Sequence, residues 1–183
     1  MAKTIILNIV ATADLNQKIE LEKLSKLKEF RYDPNKYGGR VAYFCSPHIK
    51  GKVSIFSSGK IISVGAKDEK EAIYYLEYVR DFLARIGIIR PINLRYNISN
   101  IVVMVSFEYP IDVEKIAKRR KIIYEPEQFP AAILRISYPI KATALLFSSG
   151  KAIITGIKSL NQIEPVVQKI TKIITNDAFL GYR

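Results

Sequence analysis

Phe147-Ser148-Ser149-Gly150-Lys151 repeats Phe56-Ser57-Ser58-Gly59-Lys60 at a distance of 91 residues, and apolar strand-like runs flank both copies. Working outward, Tyr32-Asp33-Pro34 returns as Tyr124-Glu125-Pro126, Asn8-Ile9-Val10 as Asn100-Ile101-Val102, and Ile19 to Leu24 as Ile111 to Ile116, all at a distance of 92. One residue has therefore been gained in the first copy, or lost from the second, between the Tyr-acid-Pro and Phe-Ser-Ser-Gly-Lys stretches. A period this long, present only twice, marks a duplicated domain rather than a solenoid of short stacked units. The expected product is pseudo-twofold, suited to a partner that is itself nearly twofold symmetric. The repeats divide the chain into 1–92 and 93–183.

Each copy reads as strand, helix, several strands and a longer closing helix. In the first, Thr4 to Ala13 is an apolar strand, and Leu21, Leu24 and Leu27 share one helical face. Strands follow over 40–44, 52–56 and 60–64, separated by a hairpin around Pro47 and the Ser58-Gly59 turn. Asp68 and Glu71 stand at capping-box spacing and open a helix that stops near Gly87. In the second copy Pro165 belongs in a first turn, so the last helix is expected to begin near 161–164 rather than at Ser159.

The net charge is +12, shared evenly, since 1–92 carries 16 basic and 10 acidic side chains and 93–183 carries 13 and 7. Such a balance points to a polyanionic partner, nucleic acid first and an anionic membrane surface second, or else to a generally solvated basic surface. No apolar run has transmembrane length, and Met1 leads straight into a strand-like run, so neither a membrane span nor a signal peptide is expected. Cys45 is the single cysteine, which fits a reducing, cytoplasmic setting.

Along Ala142 to Phe147 and Ala152 to Thr155 apolar and polar residues do not alternate; both faces are apolar or nearly so. Four helices cover one face of a sheet of about ten short strands, which leaves the other apolar face for a partner, unless the sheet closes into a sandwich or barrel. Enzyme signatures are missing. Triads, zinc clusters and Cys-His dyads need His or Cys in quantity, and the chain has only His48 and Cys45. Gly59-Lys60 lacks the spacing of a phosphate loop, and Glu125 with Glu127 has no second acidic cluster to complete a paired-carboxylate site. No catalytic residue, metal site or cofactor is expected.

With the repeats aligned, YEPEQFP (Tyr124 to Pro130), FSSGK (Phe147 to Lys151) and Thr155-Gly156 resemble the TATA-binding protein family over the whole chain. The resemblance implies an α+β saddle, a curved ten-stranded antiparallel sheet whose concave face sits on the DNA minor groove, with four helices on the convex face. This family is itself the general example of apolar wedges inserted between base steps, so that mode follows from the resemblance and not from these residues alone. Carried over by position, the wedges are Phe129 and Phe147 in the second copy and Tyr37 and Phe56 in the first. Asn8 and Asn100 would donate amide hydrogens at the centre of the site. Val10, Val102, Ile62, Ile153, Val64, Leu145 and Thr155 would form the floor, and Arg135, Lys60, Lys151, Ser58 and Ser149 would reach phosphates or the groove edge.

The same alignment places Tyr43 at the position of Arg135, Ser54 at that of Leu145 and Val64 at that of Thr155, so the first copy departs from the family pattern. Glu125, Glu127 and Gln128 would lie on a loop contacted by transcription factor B, or else be solvated loop residues. Lys118-Arg119-Arg120-Lys121 is either a flanking phosphate contact or a solvated helix end. The implied function is a minor-groove factor of transcription initiation that binds and bends A·T-rich promoter DNA, recruits transcription factor B and, through it, RNA polymerase. It would act at the nucleoid, or in the nucleus of a eukaryote. The rivals are a protein-interaction module or regulatory paralogue with weak DNA specificity, its saddle occupied by a protein or by a second copy of the chain, and an accessory domain of a nuclease or glycosylase.

Overall fold

The computed structural model describes residues 2–179. The first copy runs β1 (Lys3–Asp14), α1 (Leu21–Leu24), β2 (Phe30–Tyr32), β3 (Val41–Phe44), β4 (Lys52–Phe56), β5 (Lys60–Ala66) and α2 (Glu69–Arg85). The second runs β6 (Tyr96–Ser106), α3 (Val113–Arg120), β7 (Ala131–Ile136), β8 (Ala142–Phe147), β9 (Lys151–Ile157) and α4 (Ile163–Phe179). Residues divide into two compact units, Asn8–Ser99 and Met1–Leu7 with Asn100–Arg183.

Within the first unit the strand order is β2-β3-β4-β5-β1, and within the second β6-β9-β8-β7, every pair antiparallel. Side chains alternate across a strand, so one face of each sheet carries Ile9, Ala11, Val53, Ile55 and Ile61, or Val103, Val105, Ala144, Leu146 and Ile154, all buried. Helix α2 covers that face of the first unit with Ala72, Tyr75, Leu76, Val79 and Leu83, and packs on β4 and β5. Its start is capped on both sides. Asp68 Oδ1 accepts from the Glu71 amide at 2.7 Å, and Glu71 Oε2 accepts from the Lys67 amide at 2.7 Å. The second closing helix follows a 3₁₀ turn at Leu160–Gln162 and begins at Ile163, which puts Pro165 in its first turn.

The Ser-Ser-Gly turns hold the same role in both copies. Gly59 and Gly150 have φ of +96° and +85°, a region that L side chains rarely adopt. A Cβ at Gly150 would stand 2.5 Å from the Tyr109 carbonyl oxygen, and one at Gly59 would run into that of Gln17. The turn carbonyls in turn accept from the loop that follows the first strand: Leu15 to Gly59 at 2.9 Å and Ile19 to Ser57 at 3.0 Å, matched by Phe107 to Gly150 at 2.8 Å and Ile111 to Ser148 at 3.2 Å.

Two expectations are corrected. Nine strands form among the described residues instead of ten, because the second copy has no counterpart of β2. Helices α1 and α3 start at equivalent positions, but α3 continues four residues longer, to Arg120, before Lys121 turns left-handed at φ +53°. That length takes up the turn that precedes β2 in the first copy, and 122–124 forms no strand. The second correction is one of register. Val41 pairs with Phe56 where Ala131 pairs with Phe147, and Tyr43 with Ser54 where Ile133 pairs with Leu145. β3 therefore matches β7 at an offset of 90 residues, while the β4–β5 and β8–β9 ladders keep 91. Tyr43 occupies the place of Ile133, not of Arg135, whose counterpart is Cys45. The loop before β3 is two residues longer than its equivalent, and the β7–β8 hairpin is one residue longer than β3–β4.

Candidate nucleic-acid interface

Among the described residues no element covers the face of each sheet opposite the helices. In the first unit a row crosses it through the ladder partners Arg31, Tyr43, Ser54, Ile62 and Thr12, all half-buried except the exposed Arg31. The second unit's equivalent row is Ile133, Leu145, Ile153 and Met104. Beside these rows lie Val10, Val64 and Lys52 in the one unit, and Val102, Thr155 and Thr143 in the other, on the same face by alternation. The floor residues expected from sequence thus share one face in each unit. Thr12, Met104, Ile133, Thr143 and Arg31 were missed, although each stands two or four residues along a strand from a named position, or pairs with one.

Asn8 and Asn100 lie on the open face of β1 and β6, and both amides are oriented by a glycine at a bulge. Asn8 Oδ1 accepts from the Gly65 amide at 2.7 Å, and Asn100 Oδ1 from the Gly156 amide at 2.8 Å. A side-chain oxygen held in this way turns the NH₂ group away from the bulge as the remaining donor. Asn100 also exchanges hydrogen bonds with the Thr155 hydroxyl, at 3.1 and 3.2 Å.

Phe56 and Phe147 end β4 and β8, half-buried, immediately before the Ser-Ser-Gly turns. Ser58, Ser149, Lys60 and Lys151 are exposed around those turns, a hydroxyl and a cation at each. Phe129 is 44% exposed on the loop before β7, where its amide donates to the Glu125 carbonyl at 2.9 Å. Tyr37 lies in a 3₁₀ turn at φ +52° and is 73% exposed. The Tyr43 pKa is raised, chiefly by burial and then by the Tyr37 hydroxyl near it. Lys52 lies over the Tyr43 ring, 5.6 Å from its centroid. Phe129 stands two residues before the first paired residue of its strand, Ala131, whereas Tyr37 stands four before Val41.

Glu125, Glu127 and Gln128 are exposed on the loop that carries Phe129. Glu125, Gln128 and Phe129 line a cleft of about 660 Å³ together with Ile123, Ile133 and Arg135. Of the nearby basic run, Arg119 donates to the Asn176 carbonyl at 3.1 Å and Arg120 pairs with Asp177, so both fasten α3 to α4. Among the described residues no cluster of His, Cys, Asp or Glu could hold a metal ion, and no helix is long and apolar enough to cross a membrane.

The family model for "Transcription factor TFIID (or TATA-binding protein, TBP)" matches residues 3–86 and again 95–176. The chain belongs to the TATA-binding protein family. It is 36% identical over 177 residues to the TATA-box-binding protein of Aeropyrum pernix, covering 95% of this chain and 86% of that protein. It is also 36% identical over 175 residues to the TATA-box-binding protein of Methanopyrus kandleri, covering 91% and 93%. Among solved structures, Methanococcus jannaschii TBP matches with a TM-score of 0.84 and 30% identity over 95% of this chain and 99% of that one. The α+β architecture of the TATA-binding protein family, with its duplicated repeat, is therefore the architecture of this chain.

Proposed function

We propose that this chain is a transcription initiation factor that lays the open face of its sheets on the minor groove of A·T-rich promoter DNA and bends it. The observation that carries the reading is the uncovered face itself, apolar along Val10, Ile62, Val102, Leu145 and Ile153 and flanked by Lys60 and Lys151. An A·T minor groove offers only adenine N3 and thymine O2 acceptors, so an apolar floor strands few hydrogen bonds there. The oriented Asn8 and Asn100 amides supply donors for those acceptors, and the lysines and serines of the turns supply phosphate contacts. Phe129 and Phe147 act as wedges between base steps, Phe56 with Tyr37 as the weaker pair.

Glu125, Glu127 and Gln128 serve the next step, contact with transcription factor B, through which RNA polymerase is brought in. Carboxylates repel DNA, so their place on an exposed loop beside a cleft suits a protein partner. The two repeats, 1–92 and 93–183, each take one half of the DNA site, and the factor works at the nucleoid.

The test is a gel-shift series on TATA-like, scrambled and G·C-rich duplexes at rising salt. A·T-rich DNA is expected to bind best, with affinity falling steeply as counterions compete. Equal affinity for G·C-rich DNA, or affinity indifferent to salt, overturns the reading.

A further inference from the structure

We propose that the two repeats read their half-sites under different rules: the first accepts a G·C pair and the second demands A·T, with Ser54 as the residue that sets the difference. The inference rests on the minor-groove reading above and deepens it.

The strand ladders make the comparison position by position. Tyr43, Ser54, Ile62 and Thr12 form one row of the open face in the first unit, and Ile133, Leu145, Ile153 and Met104 form its equivalent in the second. One row carries three hydroxyls and a single aliphatic side chain; the other is wholly apolar. In the minor groove a G·C pair differs from A·T by the guanine N2 amine, a donor that projects into the groove. An amine pressed against Leu145 loses its water and gains no acceptor, and the bulkier side chain also takes its space. Ser54 is shorter and brings a hydroxyl, which accepts from the amine of a G·C pair and donates to N3 or O2 of an A·T pair. It is half-buried at the centre of its row, between ladder partners Tyr43 and Ile62.

A factor with one tolerant half can turn round on its site, so a single G·C pair in either half of a palindromic A·T-rich duplex is placed against the first repeat. Two symmetric G·C pairs leave no such escape. The experiment measures Kd for duplexes with no G·C pair, one, and one in each half, the pair being scanned through the half-site, for the wild type, Ser54→Leu, Ser54→Ala and Leu145→Ser. At the sensitive position the wild type is expected to bind the first two duplexes within about threefold, and the doubly substituted one at least about tenfold more weakly, the scale of one mismatched base pair. Ser54→Leu and Ser54→Ala should bring the tenfold loss forward to the singly substituted duplex, and Leu145→Ser should restore the doubly substituted one. A wild type that loses as much from one G·C pair as Ser54→Leu does, at every position, overturns the half-site rule. Ser54→Ala behaving as wild type overturns the acceptor role. A wild type with no preference for the unmodified duplex over G·C-rich DNA overturns instead the function on which the proposal rests.

Discussion

Truncating a wedge on each side should expose an asymmetry between the repeats. Phe147 ends β8 beside Ala131 and is half-buried before DNA arrives, so its ring is held in place by its own sheet. Phe129 stands on a loop pinned by two hydrogen bonds to the Glu125 carbonyl, from its own amide and that of Gln128. Removing either ring should cost about 1 to 3 kcal/mol of binding, the range for a lost base-stacking contact. At 1.4 kcal/mol per tenfold change, that is between about 5- and 150-fold in Kd. Tyr37 differs on two counts: it is 73% exposed, and its loop is two residues longer than the one bearing Phe129. Tyr37→Ala should therefore cost less than about fivefold, and Tyr37→Phe, which removes a hydroxyl that insertion must desolvate, should hold or improve affinity and increase bending. The assay is equilibrium binding and fluorescence-detected bending of one A·T-rich duplex by wild type and the four variants. Equal losses from Tyr37→Ala and Phe129→Ala would show that the repeats insert alike and that the longer loop carries no weight.

Glu125→Arg combined with Glu127→Arg should leave DNA binding intact or slightly stronger while abolishing the ternary complex with transcription factor B; normal assembly of that complex by native gel removes the role given to the loop. Gly150→Ala should lower stability by more than about 1 kcal/mol, since φ is +85° and the new Cβ would meet the Tyr109 carbonyl; an unchanged denaturation midpoint would show that the turn adjusts freely. Tyr75, buried and donating to Glu71 Oε1 at 2.6 Å, has its pKa pushed up to about 12, chiefly by burial and then by that carboxylate. A raised phenol pKa stabilises the fold below the ordinary value near 10, and that contribution disappears as pH rises through about 12. Tyr75→Phe should accordingly melt lower than wild type at neutral pH and converge with it between pH 10 and 12; a constant difference in Tm across that range refutes the assignment.

Repetition made the duplication legible in the linear chain, because two copies of Phe-Ser-Ser-Gly-Lys preserve a turn whose glycine has no substitute and a strand-end phenylalanine beside it. The capping box at Asp68 and Glu71, the late start of α4 forced by Pro165 and the apolar open face were legible for the same kind of reason: each depends on residues within a few positions of one another. Ladder register is a different quantity. It is set by which backbone groups meet across strands, and loops absorb insertions without trace in the spacing of motifs on either side. The one-residue drop from 92 to 91 thus concealed two opposed changes, a first-copy loop two residues longer and a second-copy hairpin one residue longer, and carrying 92 across the loop assigned Tyr43 to the place of Arg135 instead of Ile133. The missing tenth strand was hidden likewise, since Ile122-Ile123-Tyr124 has the side chains of a strand and lacks only the turn that α3 consumed by running on to Arg120. Local chemistry named the elements, most of the open face and the match of Ser54 with Leu145, whereas the row these two stand in, with Tyr43 opposite the one and Ile133 opposite the other, arises only when the strands pair.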